Sequence, residues 1–83
     1  MDQITQNFAE TLRKMRTDRN LTQEELAHRA GLDYKYLQKL EGQKPSSPTL
    51  STLEKLANGL NISLVELIQN LQAQDSPDKT MDF

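Results

Sequence analysis

Apolar residues recur along this chain at the spacing of one helix face. Ile4, Phe8, Leu12 and Met15 stand at i, i+4, i+8 and i+11 with polar residues filling most of the gaps, a single stripe on a helix of 3.6 residues per turn. The pattern predicts a first helix over about Gln3 to Asp18. In "NLTQEEL" Thr22 and Glu25 have the spacing of a capping box, in which the Thr22 hydroxyl accepts from the Glu25 backbone N–H and the Glu25 carboxylate reaches back to the Thr22 N–H. A second helix therefore starts there and turns Leu26, Ala27 and Ala30 inward. It stops at Gly31, which suits the left-handed conformation of a helix end.

Asp33 is placed to cap a third helix with its carboxylate, and Leu37 and Leu40 face that helix to the core. Gly42 and "QKPSSP" end it, because Pro45 and Pro48 cannot continue a helix and each restricts the residue before it. Ser47 followed by Pro48 reads as a cap and a first-turn residue, opening a fourth helix whose apolar side holds Leu50, Leu53, Leu56, Ala57 and Leu60, with Asn58-Gly59 near its end. A second capping box, Ser63 with Glu66, opens a fifth helix. There Leu64, Val65, Leu67, Ile68 and Leu71 make an unusually wide apolar face. The expected fold is all-α, a compact five-helix bundle over residues 1–72, followed at 73–83 by an aperiodic, acidic tail expected to be flexible.

Composition narrows the function classes. A chain of 83 residues is one domain, near the size where a single core is marginally sufficient. With no cysteine it has no disulfide framework and no cysteine-based metal site, a composition compatible with a reducing cytosol. No apolar run approaches the ~18 residues of a membrane span, and "MDQITQNFAE" lacks the layout of a signal peptide. The expectation is a cytoplasmic protein with no membrane partner. Net charge is −2, but it is uneven: +1 over residues 1–45 and −3 over 46–83. That asymmetry is too weak to name a partner.

The spacing of the second and third helices is more informative. Only "AGLD" joins them, so they meet at a steep angle, as in a helix-turn-helix. In such a pair the second helix lies in the DNA major groove with its N-terminal side chains against base edges. The first points its N-terminus, with unpaired N–H groups and partial positive charge, at a phosphate.

The run "LTQEELAHRAGLDYKYLQKLEGQK", followed by "PTLSTLEKLANGLNIS", resembles the Xre/Cro-type helix-turn-helix domains of phage repressors and bacterial regulators. The resemblance covers about Phe8 to Leu71 and implies a lambda-repressor-like fold in a prokaryotic or phage protein. It implies a phosphate contact by Gln23, base reading by Tyr34 and Lys35 with Lys39 one turn on, and a structural ion pair between Arg16 and Glu41. Two departures stand out. The family often has E-x-G where this chain has Glu41-Gly42 directly, and the connection from Glu41 to Pro48 is one residue longer, so the loop that touches the DNA backbone is expected to sit differently.

Duller readings stand beside these assignments. Lys35 and Lys39, at i and i+4, are either solubilising charges or donors to guanine O6 and N7 and to phosphate. Tyr34 either stacks on the neighbouring helix or reaches a thymine methyl or a phosphate. Tyr36 is half buried or a phosphate contact, and Gln38 faces a base or solvent. Thr22, Lys44, Ser46 and Ser47 offer the hydroxyls, N–H groups and ammonium that phosphate oxygens need, and Arg13 reaches the backbone or stays solvated. The apolar face of the fifth helix, Leu64 to Leu71, packs in the monomer's own core or partly on a second copy.

Nothing in the chain supports catalysis or a cofactor. The one histidine, His28, lies mid-helix beside Arg29, and no base stands near a nucleophile or a set of metal ligands. No small-molecule ligand is evident either. The expected function is sequence-specific binding of a double-stranded DNA operator, with the third helix in the major groove, by a homodimer that regulates transcription as a repressor or controller. The alternative is a protein-interaction module, such as an antitoxin, in which DNA binding is secondary.

Overall fold

Five helices make up the described part of the chain: α1 (Gln3–Asp18), α2 (Gln23–Ala30), α3 (Tyr34–Glu41), α4 (Leu50–Gly59) and α5 (Leu64–Asp75). They are seen in a computed structural model that describes residues 3–75, with side chains as far as residue 71. Each helix buries the stripe that its spacing marks. Phe8, Leu12 and Met15 come from α1, Leu26, Ala27 and Ala30 from α2, Leu37 and Leu40 from α3, Leu56 and Ala57 from α4, and Leu67 and Leu71 from α5. They share one core, in which each fully buried leucine contributes about 1.5–3 kcal/mol relative to exposure. α1 packs on α3 and α5, while α2 is held between α3 and α4. The α2–α3 pair is thereby fixed from behind.

Several local expectations are corrected. Ile4 lies on the predicted face of α1 yet is 60% exposed, because it sits in the first turn, where packing has not yet closed over that face. The cap of α4 is Thr49 and not Ser47. The Thr49 hydroxyl accepts from Thr52 N at 3.1 Å, which places Pro48 one residue outside the helix. Leu50 then becomes the first helical residue, at the edge of the apolar stripe, and is 76% exposed. Of the Ser63–Glu66 box only one half forms, Glu66 N donating to Ser63 Oγ at 3.0 Å. Glu66 lines a hollow together with Lys14, Asp18 and Arg19. Asp33 has the extended geometry of an N-cap but makes no side-chain cap bond, and nothing in the structure explains that. α5 continues to Asp75, three residues into the segment expected to be a tail, through Gln72, Ala73 and Gln74, which have good helix propensity. The rest of that segment, 76–83, lies outside the described residues.

Gly59 has a role that its position beside Asn58 does not suggest. A Cβ there meets Ala30 N, Ala30 Cβ and Leu26 Cδ1, all at 3.1 Å, so the absence of a side chain is what lets α4 approach α2. Gly59→Val is expected to destabilise the domain by about 1–2 kcal/mol through overpacking, despite the better helix propensity of valine. Thermal denaturation checks this, and an unchanged melting temperature would remove the close-approach account.

Candidate nucleic-acid interface

The turn between α2 and α3 is built from one left-handed residue. Gly31 has φ 71° and ψ 33°, a conformation that costs a residue with a Cβ energy and costs glycine little. Its N–H donates to His28 O at 3.2 Å, and Leu32 N reaches back to Ala27 O at 2.9 Å. Half-buried Leu32 packs against the core and sets the direction in which α3 leaves. The start of α2 is equally defined. Thr22 accepts from Glu25 N at 3.0 Å and Glu25 Oε1 accepts from Thr22 N at 2.8 Å. The complete capping box leaves the hydroxyl hydrogen of Thr22 for an outside acceptor.

Across α3 the two faces differ in kind. Leu37, Leu40 and Glu41 are buried, whereas Tyr34, Lys35, Gln38 and Lys39 are exposed. Gln38 Nε2 donates to the Tyr34 hydroxyl at 3.1 Å, so these two side chains form one polar surface and Tyr34 is not stacked away from it. Tyr36 is half buried against the core, with its hydroxyl 3.4 Å from Thr52 Oγ1. This contact orients the ring.

Behind α3 lies the ion pair. Arg16 Nε donates to Glu41 Oε2 at 2.8 Å and Arg16 Nη2 to Oε1 at 2.9 Å, a two-pronged contact, while Nη1 caps Leu21 O at 2.8 Å. The Glu41 side chain is 2% exposed and that of Arg16 13%. Gln23 Nε2 also donates to Glu41 Oε1, at 3.1 Å. The carboxylate thus joins the end of α1, the start of α2 and the end of α3. The link to Gln23 has no sequence signal, because it depends on how three helices meet.

Other expected contacts are distributed less simply. Arg13 Nη2 donates to Glu41 O at 3.0 Å, at the C-terminus of α3, where a cation is favoured by the helix dipole. Lys44 and Ser46 are exposed in the loop after α3, while Pro45 between them is fully buried and anchors it. Ser47 is turned toward α1, with its hydroxyl 3.4 Å from Thr5 Oγ1. It lines an apolar hollow of about 250 Å³ with Ile4, Phe8, Pro48, Leu53, Ile68 and Leu71.

On α5 the expected apolar face divides. Leu67 and Leu71 are 1% and 8% exposed and belong to the domain's own core, the first of the two readings open for this face, so they drop out of the interface candidates. Leu64 and Ile68 are half buried and Val65 is 64% exposed. Among the described residues no helix is long and apolar enough to cross a membrane.

A capped helix, a left-handed glycine turn and a second helix with a polar outer face define a helix-turn-helix protein, and the chain belongs to that family: its model matches residues 12–67. The chain is 42% identical over 65 residues to the control protein C.SmaI of Serratia marcescens, covering 78% of this chain and 76% of that one. It is 40% identical over 65 residues to an HTH-type transcriptional regulator, y4dJ, of Sinorhizobium fredii (strain NBRC 101917 / NGR234), covering 78% of each. The restriction-modification controller protein C.Esp1396I, solved bound to a 19 base pair DNA duplex, superposes with a TM-score of 0.80 at 26% identity, covering 88% of this chain and 96% of that one.

Proposed function

We infer that this protein is a sequence-specific double-stranded DNA-binding transcriptional regulator of the cytoplasm that acts by occupying an operator. The observation that carries the reading is the outer face of α3, where Tyr34, Lys35, Gln38 and Lys39 stand exposed on a helix whose direction is set by Gly31 and whose back is locked by Glu41. In this reading α3 enters the major groove, Lys35 and Lys39 donate to base edges, and Tyr34 and Gln38 complete the face. Gln23, Thr22, Tyr36, Lys44 and Ser46 contact phosphates and set the register. The control and controller proteins to which the chain is similar, one of them solved on DNA, support the same reading.

One recognition helix reads few bases, so the working form is a twofold homodimer spanning half-sites about 34–36 Å apart. Val65, with half-buried Leu64 and Ile68, supplies the apolar patch for it. Val65→Asp is expected to shift the dimer to monomer in sedimentation velocity and to weaken operator binding, with the monomer's melting temperature little changed because the side chain lies outside the core. A variant that remains dimeric would move the interface elsewhere.

The deciding experiment is selection of bound sequences from a random duplex pool at near-physiological salt. An enriched inverted repeat supports the dimeric regulator. No enrichment from folded protein would transfer the assignment to a protein-interaction module.

A further inference from the structure

Gln23 stands at the first position of α2 with water within reach, yet its amide turns toward a buried carboxylate. Its Nε2 donates to Glu41 Oε1 at 3.1 Å, an oxygen that also accepts from Arg16 Nη2 at 2.9 Å. A phosphate oxygen only accepts hydrogen bonds, so a glutamine amide serves it with its N–H end and repels it with its carbonyl end. On an open helix surface the amide samples both orientations. A carboxylate also only accepts, so Glu41 keeps the nitrogen and not the carbonyl oxygen on its side.

The nitrogen carries two diverging hydrogens, and Glu41 takes one. The other remains for an acceptor at the start of α2, beside the Thr22 hydroxyl and the unpaired N–H groups of the first turn. Arg16 holds both carboxylate oxygens at 2.8 and 2.9 Å. Glu41 therefore does this without leaving an uncompensated negative charge beneath an approaching phosphate.

We propose that Glu41 is a positioning residue for phosphate binding: paired to Arg16, it fixes the Gln23 amide so that the second Nε2 hydrogen faces the DNA backbone. This deepens the DNA-binding reading and rests on it. Glu41 acts on DNA through Gln23 and touches no nucleotide.

A double-mutant cycle on the full chain tests this, using Gln23→Met, Glu41→Gln and the double variant. The readout is affinity for a random-sequence duplex at fixed salt, at a temperature where circular dichroism shows each variant folded. Gln23→Met is expected to lose about fivefold or more, as for a hydrogen bond to a charged group. Glu41→Gln should lose several-fold beside Gln23 and less than about twofold beside Met, because the two act as one unit. An equal loss in both backgrounds would show that Glu41 serves the fold alone and overturn the proposal.

If Glu41→Gln does not fold, Glu41→Asp replaces it in the same cycle; it keeps a negative charge to compensate Arg16 while drawing the carboxylate back from the hydrogen bond to Gln23. The failures are distinguishable. A wild-type chain that binds no duplex sinks the DNA-binding reading itself, whereas Gln23→Met binding as tightly as wild type leaves that reading standing and removes this proposal.

Discussion

Glu41→Ala is expected to lower the stability of the domain by about 3–5 kcal/mol, the range for breaking a buried ion pair from one side. The carboxylate is 2% exposed and its partner guanidinium 13%. Removing it strands a largely buried charge and two N–H donors of Arg16, together with the Nε2 donor of Gln23. For a domain of this size each kcal/mol is worth about 4–8 °C in melting temperature, so the loss should exceed about 12 °C in a circular dichroism melt. The double variant Arg16→Met with Glu41→Met should recover much of that loss, since no unpaired charge remains. Additive damage in the double variant would mean that the pair is not what the domain loses.

Lys35→Ala is expected to weaken binding to a selected operator by about fivefold or more, corresponding to about 1–3 kcal/mol for a lost base contact, but to weaken random DNA only slightly. Lys35 stands exposed in the first turn of α3, the part of a recognition helix that meets base edges. Gln23→Ala should lower affinity for both DNAs by a similar factor, because the phosphate backbone is the same in each. Competition binding on the two duplexes separates the cases. Equal losses for both variants on both DNAs would remove base reading from Lys35.

The fold was legible in the sequence wherever local chemistry decides. The stripe from Phe8 to Met15, the Thr22–Glu25 box, the left-handed Gly31 and the breaks around Pro45 are each set by a few neighbouring residues, and each predicts its element without knowledge of the rest of the chain. The α2–α3 spacing follows from these, and with it the exposed face of Tyr34, Lys35, Gln38 and Lys39. The errors fall at helix starts, where competing polar residues sit side by side. Thr49 and not Ser47 caps α4 because its hydroxyl is the one that reaches Thr52 N, and that single shift moves Leu50 out of the core.

What the sequence alone could not determine is how much of each apolar face is covered, and by what. Leu67 and Leu71 read like Val65, yet α1 and α4 bury the first two and leave the third to solvent. Gly59 reads as a helix end, yet it is a point where α4 comes close against α2. Gln23 and Glu41 are 18 residues apart, and their bond exists because α1, α2 and α3 converge on one carboxylate. Local hydrogen bonds and periodicity act over three or four residues and are written in the sequence, whereas burial and long-range polar contacts depend on which helix lies opposite. Only the assembled tertiary structure decides that.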